Sequence, residues 1–170
     1  MKIVVIGGSA AGLMAALFAA RGGARVTLLE RNEKLGKKIY ITGKGRCNLT
    51  NAASPRERFL QNVPRNPRFL YAALSTLDNE GTMALFESLG LRLKVERGER
   101  VFPESDRASD VTRTLEKEIL RLGARILLNA RVRALSLQDG RAAGVTLENG
   151  ERIDADAVIV ATGGLSYPST

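Results

Sequence analysis

The chain has 170 residues, 44% of them hydrophobic, with a formal net charge of +8, no histidine and a single cysteine, Cys47. That length buries a sizeable core in one domain or a little more, while the residue counts exclude histidine-based metal ligation, histidine general bases, a Ser-His-Asp triad and an intramolecular disulfide. No apolar run is long enough to span a bilayer, and Met1 leads directly into a strand pattern without a secretory signal, so the expected setting is the cytoplasm, with no membrane partner.

The first thirty residues carry the densest information. Lys2-Ile3-Val4-Val5-Ile6 reads as a buried strand running into Gly7-Gly8-Ser9-Ala10-Ala11-Gly12, an Ala-rich helix, a second strand Arg25–Leu29 and a terminal acid, Glu30. This is the order of a dinucleotide site. Gly7 permits a sharp turn, small Ser9 lets backbone amides approach a pyrophosphate, and Gly12 lets the helix lie close to the sheet. The helix N-terminus then offers unpaired N–H groups and a positive dipole end to the anion. Ala15, Ala16 and Ala19 are expected to keep that helix thin where it packs, and Arg21 with Gly22-Gly23 to end it. Glu30 stands about 20 residues past the loop, where a carboxylate accepts hydrogen bonds from ribose hydroxyls and repels a 2′-phosphate. Ser9 replaces the middle glycine of G-x-G-x-x-G and adds a hydroxyl donor. An ordinary βαβ turn without ligand is the plainer reading of six such residues, but the strand, helix and strand-end acid around them favour the nucleotide site.

Residues 31 to 54 are rich in Gly, Lys, Asn and Thr and show little periodicity, which predicts a loop. Residues 55 to 123 read as a mainly helical insertion, with helices near Pro67–Leu77 and Asn79–Leu89. Leu91–Val95 alternates like a strand, and Arg100–Pro103 suggests a second. Ser109 or Asp110 is expected to cap a helix to Leu122, with Val111, Leu115, Ile119 and Leu122 on its buried face. From 125 to 161 the pattern is a β-meander and return strand: Arg125–Leu128, Arg131–Leu137, Ala142–Leu147, Arg152–Ala155 and Ala157–Ala161, with turns at Asp139-Gly140 and Asn149-Gly150. A nicotinamide dehydrogenase would continue instead with a helical crossover. Thr162 and Gly163 follow the last strand, at a second place where backbone can approach a cofactor.

Cations cluster at Arg31, Lys34, Lys37, Lys38, Lys44 and Arg46, and again at Arg56, Arg58, Arg65 and Arg68. Such a field favours anionic ligands, although solvated surface charge is the plainer reading of the second cluster. Nucleic acid is disfavoured as a partner because tryptophan is absent, other aromatics are scattered and no binding motif is recognised.

With the run Leu35-Gly36-Lys37-Lys38-Ile39-Tyr40-Ile41-Thr42-Gly43-Lys44-Gly45-Arg46-Cys47-Asn48-Leu49-Thr50-Asn51 in view, the chain resembles the N-terminal half of the BaiN-like flavoproteins, also called the aminoacetone oxidase or YhiN-type family of FAD-dependent oxidoreductases. Arg100–Ser105 and Ala108–Val111 carry the resemblance further, in the same order along the chain. It implies a glutathione-reductase-type Rossmann FAD-binding domain over 1–170, α/β, with a mainly parallel sheet and a β-meander crossover. Since such flavoproteins have a second half, the domain is expected to be truncated, with the missing C-terminal half as a partner and the end at Leu165–Thr170 falling inside a glycine-rich stretch. The resemblance further implies that Gly7, Gly8, Ser9, Ala10, Ala11 and Gly12 hold the pyrophosphate, that Glu30 and Arg31 lie at the adenosine, and that Val132 offers backbone to the adenine. Lys38, Thr42, Gly43, Gly45, Arg46, Cys47 and Asn48 would then pass along the flavin side, with Lys38 and Arg46 balancing phosphate or reduced-flavin charge or, alternatively, serving as surface cations. Cys47 lacks a paired cysteine and is expected to pack as a small hydrophobe; no catalytic residue is assigned, and Asn48 reads as a loop staple. The expected chemistry is flavin-mediated hydride transfer on a small-molecule substrate, with NAD(P)H as a transient electron donor. The alternatives are a non-catalytic nucleotide-binding fragment and a basic nucleic-acid-binding module.

Overall fold

The computed structural model describes residues 1–166; of the expected break at Leu165–Thr170, residues 167–170 lie outside the described residues. The chain opens with strand β1 (Lys2–Ile6), helix α1 (Ala10–Arg21), strand β2 (Arg25–Leu29) and a short helix α2 (Lys37–Thr42). There follow β3 (Thr50–Asn51), α3 (Arg56–Gln61), a 3-10 turn over Pro67–Leu70, α4 (Tyr71–Thr76), α5 (Asn79–Ser88), β4 (Leu93–Glu96) and β5 (Arg100–Pro103). Helix α6 (Ala108–Arg121) leads to β6 (Arg125–Leu127), β7 (Val132–Gln138), β8 (Arg141–Leu147), β9 (Arg152–Asp154) and β10 (Ala157–Val160). The fold divides into two compact units, one made of Met1–Thr42 and the described part of Leu115–Thr170, the other of Gly43–Thr114.

In the first unit a parallel sheet runs in the order β10-β1-β2-β6. Its register places Val4 beside Thr27 and Val158, and Leu29 beside Leu127. Ile3, Val4 and Val5 are all buried, as a parallel strand covered on both faces requires. The face of α1 that packs consists of Gly12, Leu13, Ala16, Leu17 and Ala20. Of the three alanines expected there, Ala16 is buried, whereas Ala15 and Ala19 are half-buried because they stand at the stripe's margin. Between β6 and β10 the chain makes an antiparallel sheet, β7-β8-β9, in place of a helical crossover. Val145 and Leu147 of this meander bury themselves against Val4, Leu29, Ala130 and Ala155. The β7–β8 hairpin turns on Asp139 and Gly140, both at positive φ (51° and 75°), as the Asp-Gly pair predicts.

The second unit joins β3, β5 and β4 into an antiparallel sheet whose buried residues include Val101 and Phe102. Asn79, at the start of α5, is buried and donates from Nδ2 to the carbonyls of Asn51 (2.8 Å) and Ala53 (2.9 Å), which fixes β3 and the chain after it. Three expectations are corrected. Ser109 and Asp110, expected to cap α6, lie inside its first turn. Lys37–Thr42 is helical rather than loop, its first turn tightened by the Ile39 and Tyr40 amides on the Gly36 carbonyl. Thr50–Asn51 is not loop but a strand, because the β4–β5 hairpin presents a free edge to it.

Candidate functional site

At the end of β1 the backbone turns at Gly7, whose φ is +105° and whose amide donates to the Leu29 carbonyl at 2.8 Å. A side chain there would meet the Ala161 carbonyl oxygen at 2.5 Å, just where β10 ends. At Gly12 a Cβ would overlap the Gly7 carbonyl oxygen, so the helix reaches the strand only without one. At Gly8 a Cβ would stand 2.5 Å from Leu35 Cδ2 and 3.1 Å from Glu30 Oε2. Gly7 and Gly12 thus make a corner in which backbone packs on backbone, and Gly8 leaves room beside it for the Leu35 and Glu30 side chains.

Ser9 occupies the N-cap position of α1 in extended conformation, yet makes no side-chain cap hydrogen bond. Ala10 and Ala11 are exposed, and no acid stands in the first turn, so the orphan amides of a twelve-residue helix meet no carboxylate of that turn. Beside them Glu30 is only 6% exposed. Its Oε2 accepts from the Gly8 amide at 2.7 Å, and its Oε1 accepts from the Asn32 amide (2.8 Å) and from Asn32 Nδ2 (2.7 Å). The corner and the acid are therefore in direct contact. The loop after Glu30 closes on the same point, since the Gly36 amide donates to the Gly8 carbonyl at 2.8 Å.

Other expected residues divide between the units. Thr162 and Gly163 follow β10, with Gly163 at φ +77°, and Lys38 Nζ donates nearby to the Gly164 carbonyl (3.2 Å) and to Ser166 Oγ (3.4 Å). Arg31 is exposed next to Glu30, Thr42 Oγ1 donates within α2 to the Lys38 carbonyl, and half-buried Val132 packs against the Val145–Leu147 cluster. Gly43, Gly45, Arg46, Cys47 and Asn48 belong to the second unit. There Arg46 is held by carboxylates: Nε donates to Asp106 Oδ1 at 2.9 Å, Nη2 to Glu96 Oε1 at 2.6 Å and also to Asp106, and the guanidinium covers the Phe102 ring at 4.0 Å. Lys94 Nζ completes the group, 2.6 Å from Asp106 Oδ2. These contacts hold the Asp106 and Glu96 carboxyls below their usual range, through hydrogen bonds chiefly from Lys94 to the first and from Arg46 to the second. Here the cation of the loop serves the hairpin.

With its amide nitrogen and oxygen assigned by the carbonyls they face, Asn48 donates from Nδ2 to the Thr50 (2.9 Å) and Val101 (3.2 Å) carbonyls. The Gly45 carbonyl accepts from the Ala108 amide at 2.8 Å, so this loop is fastened at both ends. Cys47 is half-buried, and burial pushes its thiol above the ordinary range, which keeps it protonated. Among the described residues no group of acids, cysteine or histidine is placed to hold a metal ion, and no helix is long and apolar enough to cross a membrane. Asn32, Leu35 and Gly36 were not expected at the corner. The available signal was an Asx residue two positions beyond the strand-end acid, where its own amide and side chain both reach back.

Comparisons with known proteins bear on the family and the fold. A 3-dehydro-bile acid delta(4,6)-reductase of Clostridium scindens is 42% identical over 99% of this chain and 40% of its own length. A ribosomal RNA dihydrouridine synthase of Haemophilus influenzae is 31% identical over 97% of this chain and 41% of its own. The chain thus spans about two fifths of the length of the relatives it matches. Among solved structures, THI4 of Thermovibrio ammonificans superimposes with a TM-score of 0.66 at 17% identity, covering 95% of this chain and 56% of that one. The model of the HI0933-like protein Rossmann domain matches residues 1–170, and the chain belongs to that family.

Proposed function

We propose that this chain is the nucleotide-holding domain of an FAD-dependent oxidoreductase. The observation that carries the reading is the contact of Glu30 Oε2 with the Gly8 amide, beside a corner that a Cβ at position 7, 8 or 12 would fill. A diphosphate needs close approach to main-chain amides, and an adenosine ribose needs an acceptor one strand away; the corner supplies both. FAD fits these residues. When bound, the flavin supplies hydride and electron transfer, and the protein supplies position and charge. Ser9 to Gly12 would bind the pyrophosphate through backbone amides, since those of Gly7 and Gly8 already donate to Leu29 and Glu30 and these two glycines serve to shape the turn. Glu30 would accept from the ribose, and the chain from Ala161 to Gly164 would offer further backbone at the end of β10. Ser9 adds a hydroxyl that its own helix leaves uncapped.

The names of two relatives share a kind of step, since a delta(4,6)-reductase and a dihydrouridine synthase both saturate a carbon–carbon double bond. We extend that reaction class to this chain, with NAD(P)H as electron donor, a small-molecule substrate, the remaining length of the full protein as its partner, and a cytoplasmic setting. The higher identity to the bile-acid reductase, 42% against 31%, favours a small molecule over RNA. The test is the visible spectrum of the purified chain after FAD loading and desalting, with bleaching by anaerobic NADPH. Wild type is expected to stay yellow and Glu30→Arg to emerge colourless with unchanged circular dichroism. Equal flavin content in the two proteins refutes the assignment.

A further inference from the structure

Glu30 has three donors from the protein itself, and their arrangement is asymmetric. Oε1 is doubly engaged by Asn32, through its amide at 2.8 Å and Nδ2 at 2.7 Å, while Oε2 has only the Gly8 amide at 2.7 Å. An ionised carboxylate has about four acceptor positions, so the capacity left over lies on Oε2. Asn32 is itself held. Its backbone carbonyl accepts from the Asn129 amide at 3.0 Å, and its Oδ1 accepts from Lys37 Nζ at 3.3 Å. Lysine offers only donors, so this contact fixes which end of the Asn32 amide faces Glu30. The Glu30 backbone is pinned as well, donating to the Leu127 carbonyl and accepting from the Ala130 amide, both at 2.9 Å.

We propose that Asn32 is a positioning residue that locks Glu30 with Oε2 toward the ligand, making the pocket selective for a nucleotide whose ribose hydroxyls are intact, and that Lys37 orients Asn32 in turn. This rests on the FAD reading above, because it assigns the ribose of the same cofactor to Glu30. The physical reason is pre-organisation: a glutamate side chain free to rotate must be ordered when the ligand arrives, whereas one already tied down in its binding rotamer need not be. Because the lock acts only through the one ribose hydroxyl that the position left on Oε2 accepts from, its removal must weaken ligands that carry that hydroxyl and spare those that lack it.

Calorimetric titration of the 170-residue chain with ADP and with 2′,3′-dideoxy-ADP separates the possibilities. Asn32→Ala is expected to weaken ADP about fivefold to tenfold, the ordering cost of one such side chain, and to change the dideoxy analogue less than about twofold. Lys37→Met, at a half-buried side chain that also pairs with Glu33 at 3.4 Å, is expected to show the same selectivity with a smaller loss, and it keeps the test open if Asn32→Ala fails to fold. Equal weakening of both ligands, or unaltered ADP binding in both variants, overturns the role of Asn32. A wild-type chain that binds both ligands alike overturns the ribose assignment of Glu30 and this inference with it, whereas a wild-type chain that binds neither overturns the cofactor reading as a whole.

Discussion

Gly12 shows how one residue can run against its own propensity. Glycine inside a helix costs about 1 kcal/mol relative to alanine, so Gly12→Ala improves the helix in isolation. The new Cβ would overlap the Gly7 carbonyl, which is backbone and cannot swing aside. Overpacking of this kind costs about 1–3 kcal/mol or more, so the clash wins and the variant is expected to melt below wild type by several degrees. Gly22→Ala is the control. Gly22 has φ −75°, and an added Cβ keeps 3.4 Å from the Ala19 carbonyl oxygen, so its melting point should be level with wild type or slightly higher. A Gly12→Ala chain at least as stable as wild type contradicts the corner. Gly7 and Gly12 were legible because their spacing follows a strand. Arg46 was not, because nothing local announces that Glu96 and Asp106, fifty and sixty residues on, will surround its guanidinium.

Among the elements, helix α5 offers the clearest test. Asp78 stands at its N-cap in extended conformation and accepts from the Gly81 amide at 2.8 Å, an arrangement typically worth about 1 kcal/mol. Its second oxygen faces Arg56 at 3.4 Å, a partly exposed pair that contributes little beyond the cap. Asp78→Ala is expected to lower unfolding stability by about 1 kcal/mol in urea, and Asp78→Asn, which preserves the capping oxygen, by much less. Equal losses in the two variants would assign the effect to the ion pair instead. Helix α6, with strong internal periodicity, and α5, through Leu85 and Leu89, were visible in sequence; α2 and β3 were not. Six and two residues are too few to show a period, and β3 exists only because β5 has an edge to offer.

For the whole molecule, charge sets the response to pH. The carboxyls of Glu33, Asp78, Glu96, Asp106 and Glu118 lie below their usual range, held there by backbone amides at Glu33 and Asp78 and by hydrogen bonds from Arg46, Lys94 and Arg121 at the other three. A carboxyl whose folded pKa is depressed contributes stability above its unfolded value, near 4, and loses it as pH falls through the folded one. The Cys47 thiol, raised by burial, acts oppositely and loses its contribution as pH climbs past the ordinary thiol value. With no histidine to titrate in between, urea midpoints are expected to be nearly level from about pH 5 to 8 and to fall steeply below about pH 4. A steep change near neutrality would show that a group outside this set governs stability. The sequence alone determined the order strand, glycine turn, helix, strand, acid, and the meander that separates this fold from a nicotinamide dehydrogenase, because short-range spacing and turn chemistry specify them. Only the tertiary structure decided that Gly36 closes on Gly8 and that Arg46 is consumed by Glu96 and Asp106 of another segment. Those contacts join residues whose separation along the chain carries no period, and they exist only once the backbone has brought the partners within hydrogen-bonding distance.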